Sequence, residues 1–358
     1  MTIKTTAFRV FIDGDKMNTH SDTATRGRFN NIFVVGSPQQ YLFAKVISNA
    51  LDGTSIFIEN GSAGRFKDTY NKIDIILDMP TIPIIDYNSI EINKMHTNRI
   101  FISNRFNSID IDIFLLLREN SKIMCIYEDG IAFYLPYAFF NNTLSDNNKI
   151  LRFKNYSKYY LHAFTSIKRY KPNFLPMTIF DEAHIAFPDS LKKYEGRVFD
   201  ILPYLKSHLH SPKPNRLRTC VFMSQCIVKD NLTTSQAYKN YVISNLCKIR
   251  EHYDNVYYKP HPRDDNDLTT SILASSGVDT LPSPYDQIPI EIFCGHFENT
   301  DLYGFGTSAL AYAATLFGSR SYTLIPSYLK AVPNQRLADL WSDVHGLLKP
   351  YGIIEYTP

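Results

Sequence analysis

Apolar and polar positions along the chain fall into two successive runs of strand-then-helix units. Asn31-Ile32-Phe33-Val34-Val35 is a short apolar stretch that predicts a buried strand. Gly36-Ser37-Pro38 follows with a turn, a helix cap and a proline at the first helical position. Phe43, Val46, Ile47, Ala50 and Leu51 recur at helical spacing, so the next element lays one face on a sheet. Asp52-Gly53 stops it, and Thr54 to Ile58 reads as a second strand. A strand, helix and strand at this spacing predict a parallel sheet. Further strands are expected at Lys72 to Leu77, Arg99 to Ile102 and Ile123 to Tyr127, the last running into Glu128-Asp129-Gly130. Residues 1–29 are weakly patterned and predict a loosely ordered start.

The pattern restarts after Lys206 to Arg218, a polar, basic, proline-containing stretch that reads as a linker. Thr219 to Met223 predicts a strand ending at Ser224-Gln225, Ser235 to Arg250 a helix, and Asn255 to Tyr258 a strand. Ile288 to Glu291 predicts a helix start. Asp301 to Ser308 predicts a strand turning on glycine into a helix that Thr307 or Ser308 caps and Gly318 ends. The expected organisation is a domain over 1–210, a second over 211–340, and a tail, 341–358, packing back on the first.

Composition narrows the function classes. A length of 358 residues with 44% hydrophobic and 14% aromatic content supports two well-packed cores. A net charge of +3 gives no argument for nucleic acid. No apolar run reaches the roughly 18 residues of a membrane span. The five cysteines are scattered without a CxxC pair, which predicts reduced thiols and a cytoplasmic protein. Asp181-Glu182-Ala183-His184 spells a helicase box, but the chain lacks the phosphate-cradling GxxxxGK[ST] loop, so that reading fails. His208-x-His210 has metal-ligand spacing without companion ligands and reads as a surface loop. Asp110-Ile111-Asp112 has the spacing of a metal-binding pair, but its strand-like alternation into Ile113-Phe114-Leu115 points to a structural role. Lys149 to Phe174 holds no acidic residue and alternates basic with aromatic side chains; it reads as a solvated face over a core stripe, or as a surface for an anionic membrane or glycan.

The candidate chemistry sits where strands end. In Tyr257-Tyr258-Lys259-Pro260-His261-Pro262-Arg263, two prolines stiffen the backbone around one imidazole between two cations, an arrangement suited to a phosphate. Glu128-Asp129-Gly130 is either an Asp-Gly turn or a pair of acids at the carboxyl end of a strand, where α/β sheets bind ligands. Thr307 and Ser308 at a helix start either cap it or hold an anion, and Ser37 carries the same two readings.

Taken in order, Glu128-Asp129-Gly130, His261-Pro262 and Thr307-Ser308 resemble the acidic-Gly, His-Pro and Ser/Thr motifs of bacterial sialyltransferases with the GT-B fold. That group includes the lipooligosaccharide and O-antigen sialyltransferases and the capsule polysialyltransferases. Phe33 to Gln40 resembles their opening strand and helix, and the matching motifs span residues 31 to about 318. Thr307-Ser308 departs mildly from the paired serines of several relatives. The resemblance implies two Rossmann-like domains facing a central cleft, and inverting transfer from CMP-sialic acid to a galactose- or sialic-acid-terminated glycan or glycolipid. It implies Asp129 as general base, with Glu128 orienting the site, and His261 on the leaving phosphate. Thr307 and Ser308 would hold that phosphate, and Glu291 would suit the ribose hydroxyls. Lys259, Pro262, Arg263, Gly306, Ser224 and Gln225 fall on the donor side, with Ser37, Gln39 and Gly130 as weaker candidates. No metal or other cofactor is expected, because a single departing phosphate can be neutralised by histidine, hydroxyls and helix N–H groups. Such acceptors imply peripheral work at the inner face of the cytoplasmic membrane. A donor carrying Kdo, legionaminic or pseudaminic acid would use the same groups, and a non-catalytic glycan-binding protein would keep the fold without needing a base.

Overall fold

Parallel pairing dominates the computed structural model, which describes residues 28–60, 66–89, 92–103, 107–128, 130, 133–134, 175, 177–191, 194–209 and 217–358. The first half holds strands β1 (Arg28–Val35), β2 (Ser55–Glu59), β3 (Ile84–Asp86), β4 (His96–Ile102), β5 (Ser121–Tyr127), β6 (Glu182–Ile185) and β7 (Arg197–Asp200). They form one seven-stranded sheet in the order β3-β2-β1-β4-β5-β6-β7. Helices α1 (Pro38–Ala50), α2 (Lys67–Leu77), α3 (Ser108–Leu117) and α4 (Leu202–Leu209) accompany it.

The second half holds β8 (Thr219–Met223), β9 (Asn255–Lys259), β10 (Asp279–Thr280), β11 (Thr300–Gly304), β12 (Ser321–Thr323) and β13 (Ile354–Glu355). Their order is β10-β9-β8-β11-β12-β13. Its helices are α5 (Ser235–Arg250), α6 (Asn266–Ser276), α7 (Ile290–His296), α8 (Ser308–Phe317), α9 (Ile325–Ala331) and α10 (Gln335–Leu348). Both sheets reverse strand order after their first strand, at β1/β4 and at β8/β11, the point where doubly wound sheets open a crevice for ligands. Two Rossmann-like sheets in one chain make the GT-B fold.

The central strands β1 and β8 carry continuous apolar runs because both of their faces are covered. In β1 the side chains of Phe33 and Val35 join one core cluster, and those of Ile32 and Val34 join the other, following the two-residue period of a strand. The first cluster also takes in Ile288, Ile292, Ala311, Tyr312, Leu316, Val344 and Leu348, so one apolar core is shared by both halves. Tyr351 extends this contact: its ring lies 4.1 Å from that of Phe187, and its hydroxyl is 2.9 Å from Ser190 Oγ. The expected boundary near residue 210 falls at 210–216, outside the described residues, as do residues 1–27 of the start.

Three expectations are corrected. Lys72 to Leu77 is not a strand but the end of α2. As a strand, Ile73, Ile75 and Leu77 would share a face; as a helix, Ile75 turns to solvent at 79% exposure while Tyr70, Ile73 and Asp74 turn inward. The inward acid is matched by α1: Lys45 Nζ lies 2.7 Å from Asp74, and the Tyr41 hydroxyl donates to the same carboxylate at 2.8 Å. Asp110 to Leu115 is likewise helical, because Asn107 caps α3 by accepting from the N–H groups of Ile109 (2.8 Å) and Asp110 (3.3 Å). Asp110 is buried and accepts from the Asn60 amide. Finally, His208 lies on α4 rather than in a loop, and His210 lies outside the described residues. Among the described residues no helix is long and apolar enough to cross a membrane.

Candidate active site

The wall contributed by the first half begins where β5 stops. Glu128 follows Tyr127 and is fully buried. Its Oε2 accepts from the Ala186 N–H at 2.6 Å and from the Tyr134 hydroxyl, and its Oε1 accepts from the Tyr312 hydroxyl of α8. With these donors the carboxylate fixes the end of β5 against β6 and α8 rather than facing the cleft. Asp129 lies outside the described residues. Gly130 adopts φ +80°, and a Cβ built there would stand 3.0 Å from Ser308 Oγ and 3.7 Å from Gln39 Oε1. Glycine is required twice over, by the left-handed backbone and by the close approach of the other half. Ser37 acts as the cap of α1, its hydroxyl accepting from the Gln40 N–H at 3.2 Å. Gln39, in the first turn, reaches across to Glu291, with Nε2 3.5 Å from Oε1.

The facing wall is built at the carboxyl ends of β8, β9 and β11. After β11 the chain turns at Gly306 (φ +100°), where a Cβ would press on Ile325 and Val344 at 3.1 and 3.2 Å. Thr307 then caps α8, accepting from the Ala309 N–H at 3.4 Å, and Ser308 opens the helix with its hydroxyl toward Gly130. Free N–H groups at that helix start offer positive potential to an anion. Gln39, Gly130, Ser308 and Glu291 therefore meet across the cleft.

His261 sits just past β9, two strand positions from β11 and so about 10 Å along the sheet edge. Its N–H donates to Asp264 Oδ2 at 2.9 Å, and its Nδ1 accepts from the Arg263 N–H at 3.1 Å. A ring nitrogen that accepts carries no proton, so the neutral ring presents Nε2–H as a donor. Burial lowers the His261 pKa and keeps the ring neutral near pH 7, against the pull of Asp264.

The neighbours of His261 do not aim as the sequence suggests. Lys259 Nζ donates to the carbonyls of Tyr285 (2.9 Å) and Asp286 (3.1 Å), holding that loop rather than reaching for an anion. Arg263 is exposed and paired to Asp230 at 3.4 Å, with a second nitrogen on Cys226 Sγ at 2.5 Å; Pro262 is exposed. Ser224 is buried with its hydroxyl 2.9 Å from that of Tyr238, and Gln225 is half-buried in the turn after β8. Lys259 and Glu291 form an electrostatic couple beneath the cleft. Burial pushes the Glu291 carboxyl up to about 7, with Lys259 pulling the other way. Burial pulls the Lys259 ammonium down to about 8, opposed by Glu291 and Asp286.

Among the described residues one buried trio has metal-ligand geometry: Cys125, Glu182 and His184 on adjacent strands β5 and β6. Glu182 is already occupied, by Arg99 Nε at 3.2 Å, Arg197 at 2.5 Å and His184 Nε2 at 3.3 Å. Burial pushes the Cys125 thiol far up, so it offers no thiolate. Two guanidinium groups on the same carboxylate leave no place for a cation, and the Asp-Glu-Ala-His stretch is a structural strand.

The model of the alpha-2,8-polysialyltransferase family matches residues 16–325, most of the chain. The chain belongs to that family. It is accordingly a glycosyltransferase of the sialyltransferase class. Among curated proteins none matches it in sequence. A protein designated a UDP-N-acetylglucosamine 2-epimerase from Listeria monocytogenes shares its fold, with a TM-score of 0.53 at 11% identity over 91% of this chain and 90% of that one. Weaker similarity extends to Acinetobacter baumannii MurG (TM-score 0.38, 8% identity, 91% and 85% covered). It extends also to a UDP-GlcNAc 2-epimerase from Neisseria meningitidis (0.39, 8%, 90% and 93%).

The sequence left two side chains of this candidate site unread. Tyr312 lies four residues after Ser308, on the same face of α8, and that i, i+4 spacing was the available signal. Tyr134 lies four residues after Gly130, and nothing in its local pattern marks it as a partner of Glu128.

Proposed function

We propose that the protein transfers sialic acid from CMP-sialic acid to a hydroxyl of a sialic-acid-terminated surface glycan, with inversion and without a metal ion. The observation that carries this reading is the convergence of Gln39, Gly130, Ser308 and Glu291 across the cleft, in a chain of the alpha-2,8-polysialyltransferase family. The family's name favours a sialylated acceptor over a galactose-terminated one.

In this reading the Asp129 carboxylate takes the proton from the acceptor hydroxyl as its oxygen bonds to the anomeric carbon. An alcohol is a poor nucleophile until that proton is leaving, so a positioned base contributes directly to the rate. The bond from the anomeric carbon to the phosphate oxygen breaks, and CMP departs with the electron pair. Charge grows on the phosphate during that step, so donors fixed in advance act mainly in the transition state. The His261 Nε2–H, the Ser308 hydroxyl and the N–H groups opening α8 are the donors proposed for it. Glu291 would accept from the ribose hydroxyls in its ionised form. Acceptors of this kind are built at the inner face of the cytoplasmic membrane, and peripheral attachment there follows as part of the proposal.

The test is CMP release from CMP-N-acetylneuraminic acid in EDTA, with sialylated and galactose-terminated acceptors in parallel. Acceptor-dependent release, lost in Asp129→Asn and His261→Ala, is the expected result. No release with either acceptor would move the donor to another CMP-activated acid. Turnover only with a UDP-sugar and a divalent metal would overturn the reading.

A further inference from the structure

Tyr312 belongs to the second half of the chain, yet its ring is fully buried in the core shared with the first. It packs edge-on to Phe43 (centroids 5.4 Å apart) and stacks on Phe187 (5.2 Å). Its hydroxyl donates to Glu128, whose other oxygen takes the Tyr134 hydroxyl and the Ala186 N–H. One turn earlier on the same helix, Ser308 stands against Gly130. Tyr312 thus ties the start of α8 to Glu128, a carboxylate that is itself anchored in the first half by Tyr134 and Ala186.

We propose that Tyr312 is a positioning residue, a pin that sets the distance between Ser308 on α8 and Gly130, which lies two residues after Glu128. It touches no reacting atom. Packing alone would hold the ring in the core but would leave the rotation of α8 about that ring unspecified; a directed O–H bond to a fixed carboxylate removes that freedom. A phenylalanine would fill the volume of the ring, but it would take a donor from the buried Glu128 carboxylate, so the hydroxyl contributes orientation as well as stability. The two walls then approach to a fixed separation before any substrate arrives, which is the condition for a transition state to find its donors in place. Without the hydroxyl, α8 settles where packing permits, and Ser308 drifts relative to Gly130.

The proposal rests on the reading of Ser308 and Asp129 as acting on one donor, so the experiment needs a readout that does not depend on it. Tyr312→Phe is compared with wild type for kcat, donor KM and hydrogen exchange at the Ala186 amide. Expected are a kcat fall of roughly 10- to 100-fold, a donor KM changed by less than about threefold, and faster Ala186 exchange. Glu128→Gln should lower kcat similarly, and Tyr312→Phe added to it should lower kcat no further. Phe43→Leu serves as the packing control: it should lower the melting temperature with kcat held within about twofold. If Tyr312→Phe leaves kcat unchanged, or if Phe43→Leu lowers kcat as much, the pin is overturned. Should the wild type fail to turn over CMP-sialic acid, the function reading fails, and Ala186 exchange still decides the pin: unchanged exchange would remove it.

Discussion

Gly130→Ala tests the closest approach of the two halves. The backbone there has φ +80°, a region in which a side chain costs roughly 1–2 kcal/mol. The new methyl would also stand 3.0 Å from Ser308 Oγ, inside ordinary contact, adding about 1 kcal/mol or more as overpacking. The expected destabilisation is therefore about 2–3 kcal/mol, and the two parts separate in a second background. Ser308→Ala removes the crowding oxygen and leaves Ser308 Cβ 3.8 Å away, an ordinary contact. The backbone cost persists there and the contact cost vanishes, so the glycine substitution should cost about 1 kcal/mol less than in wild type. Urea denaturation of the four proteins measures this directly. Equal costs in both backgrounds would mean that Gly130 and Ser308 do not face each other in solution, and the site as described would fall with them.

Two further outcomes follow from the buried charges. Burial alone would raise the Glu182 carboxyl, but His184 and the Arg99 guanidinium outweigh it and hold the group at about 2, below its ordinary 4.5. A depressed acid contributes stability that is full above about 4.5 and is lost as pH falls toward about 2. Glu182→Gln should cost about 3 kcal/mol at pH 7, with the gap to wild type narrowing below pH 4.5 in melting scans; a constant gap would exclude the charge as its source. Lys259→Met should drive Glu291 above its value of about 7, because the ammonium no longer favours the carboxylate. CMP affinity, measured by calorimetry from pH 6 to 9, should then reach its midpoint at higher pH than in wild type, and an unmoved midpoint would detach Glu291 from the nucleotide.

Much of this was legible because local signals were strong. Helix α5 has the bounds its pattern predicts, Ser235–Arg250, and Thr307 and Gly318 bracket α8 as cap and stop. The misread elements share a cause. Ile73, Ile75 and Leu77 mimic a strand's alternation, and only the partner helix, with Lys45 waiting for Asp74, decides otherwise. Asp110 to Leu115 alternates in the same strand-like way, and the Asn107 cap just before it makes the segment helical. At the site, the residues at strand ends were identifiable, whereas their orientations were not. Lys259 looks like a phosphate ligand in sequence, but its ammonium serves two carbonyls some 26 residues later, at Tyr285 and Asp286. The spacing from Ser308 marks the face of α8 that Tyr312 shares, but not its partner, which lies 184 residues away.

Strand order has a consequence for how the chain comes off the ribosome. β1 is a central strand whose fully buried Ile32, Phe33, Val34 and Val35 need partners on both edges, and one of those edges is β4. In register, Ile32 pairs with Ile100, which is synthesised 68 residues later (100 − 32). At about 5–20 residues per second the gap lasts roughly 3–14 s. For that time an apolar, β-prone segment has one edge without its native neighbour, open to pairing with another chain. A longer delay recurs in the second half, where Val221 of β8 waits for Leu302 of β11, 81 residues later (302 − 221). Yield from cells should therefore depend on translation speed and chaperone supply more than on the stability of the finished fold.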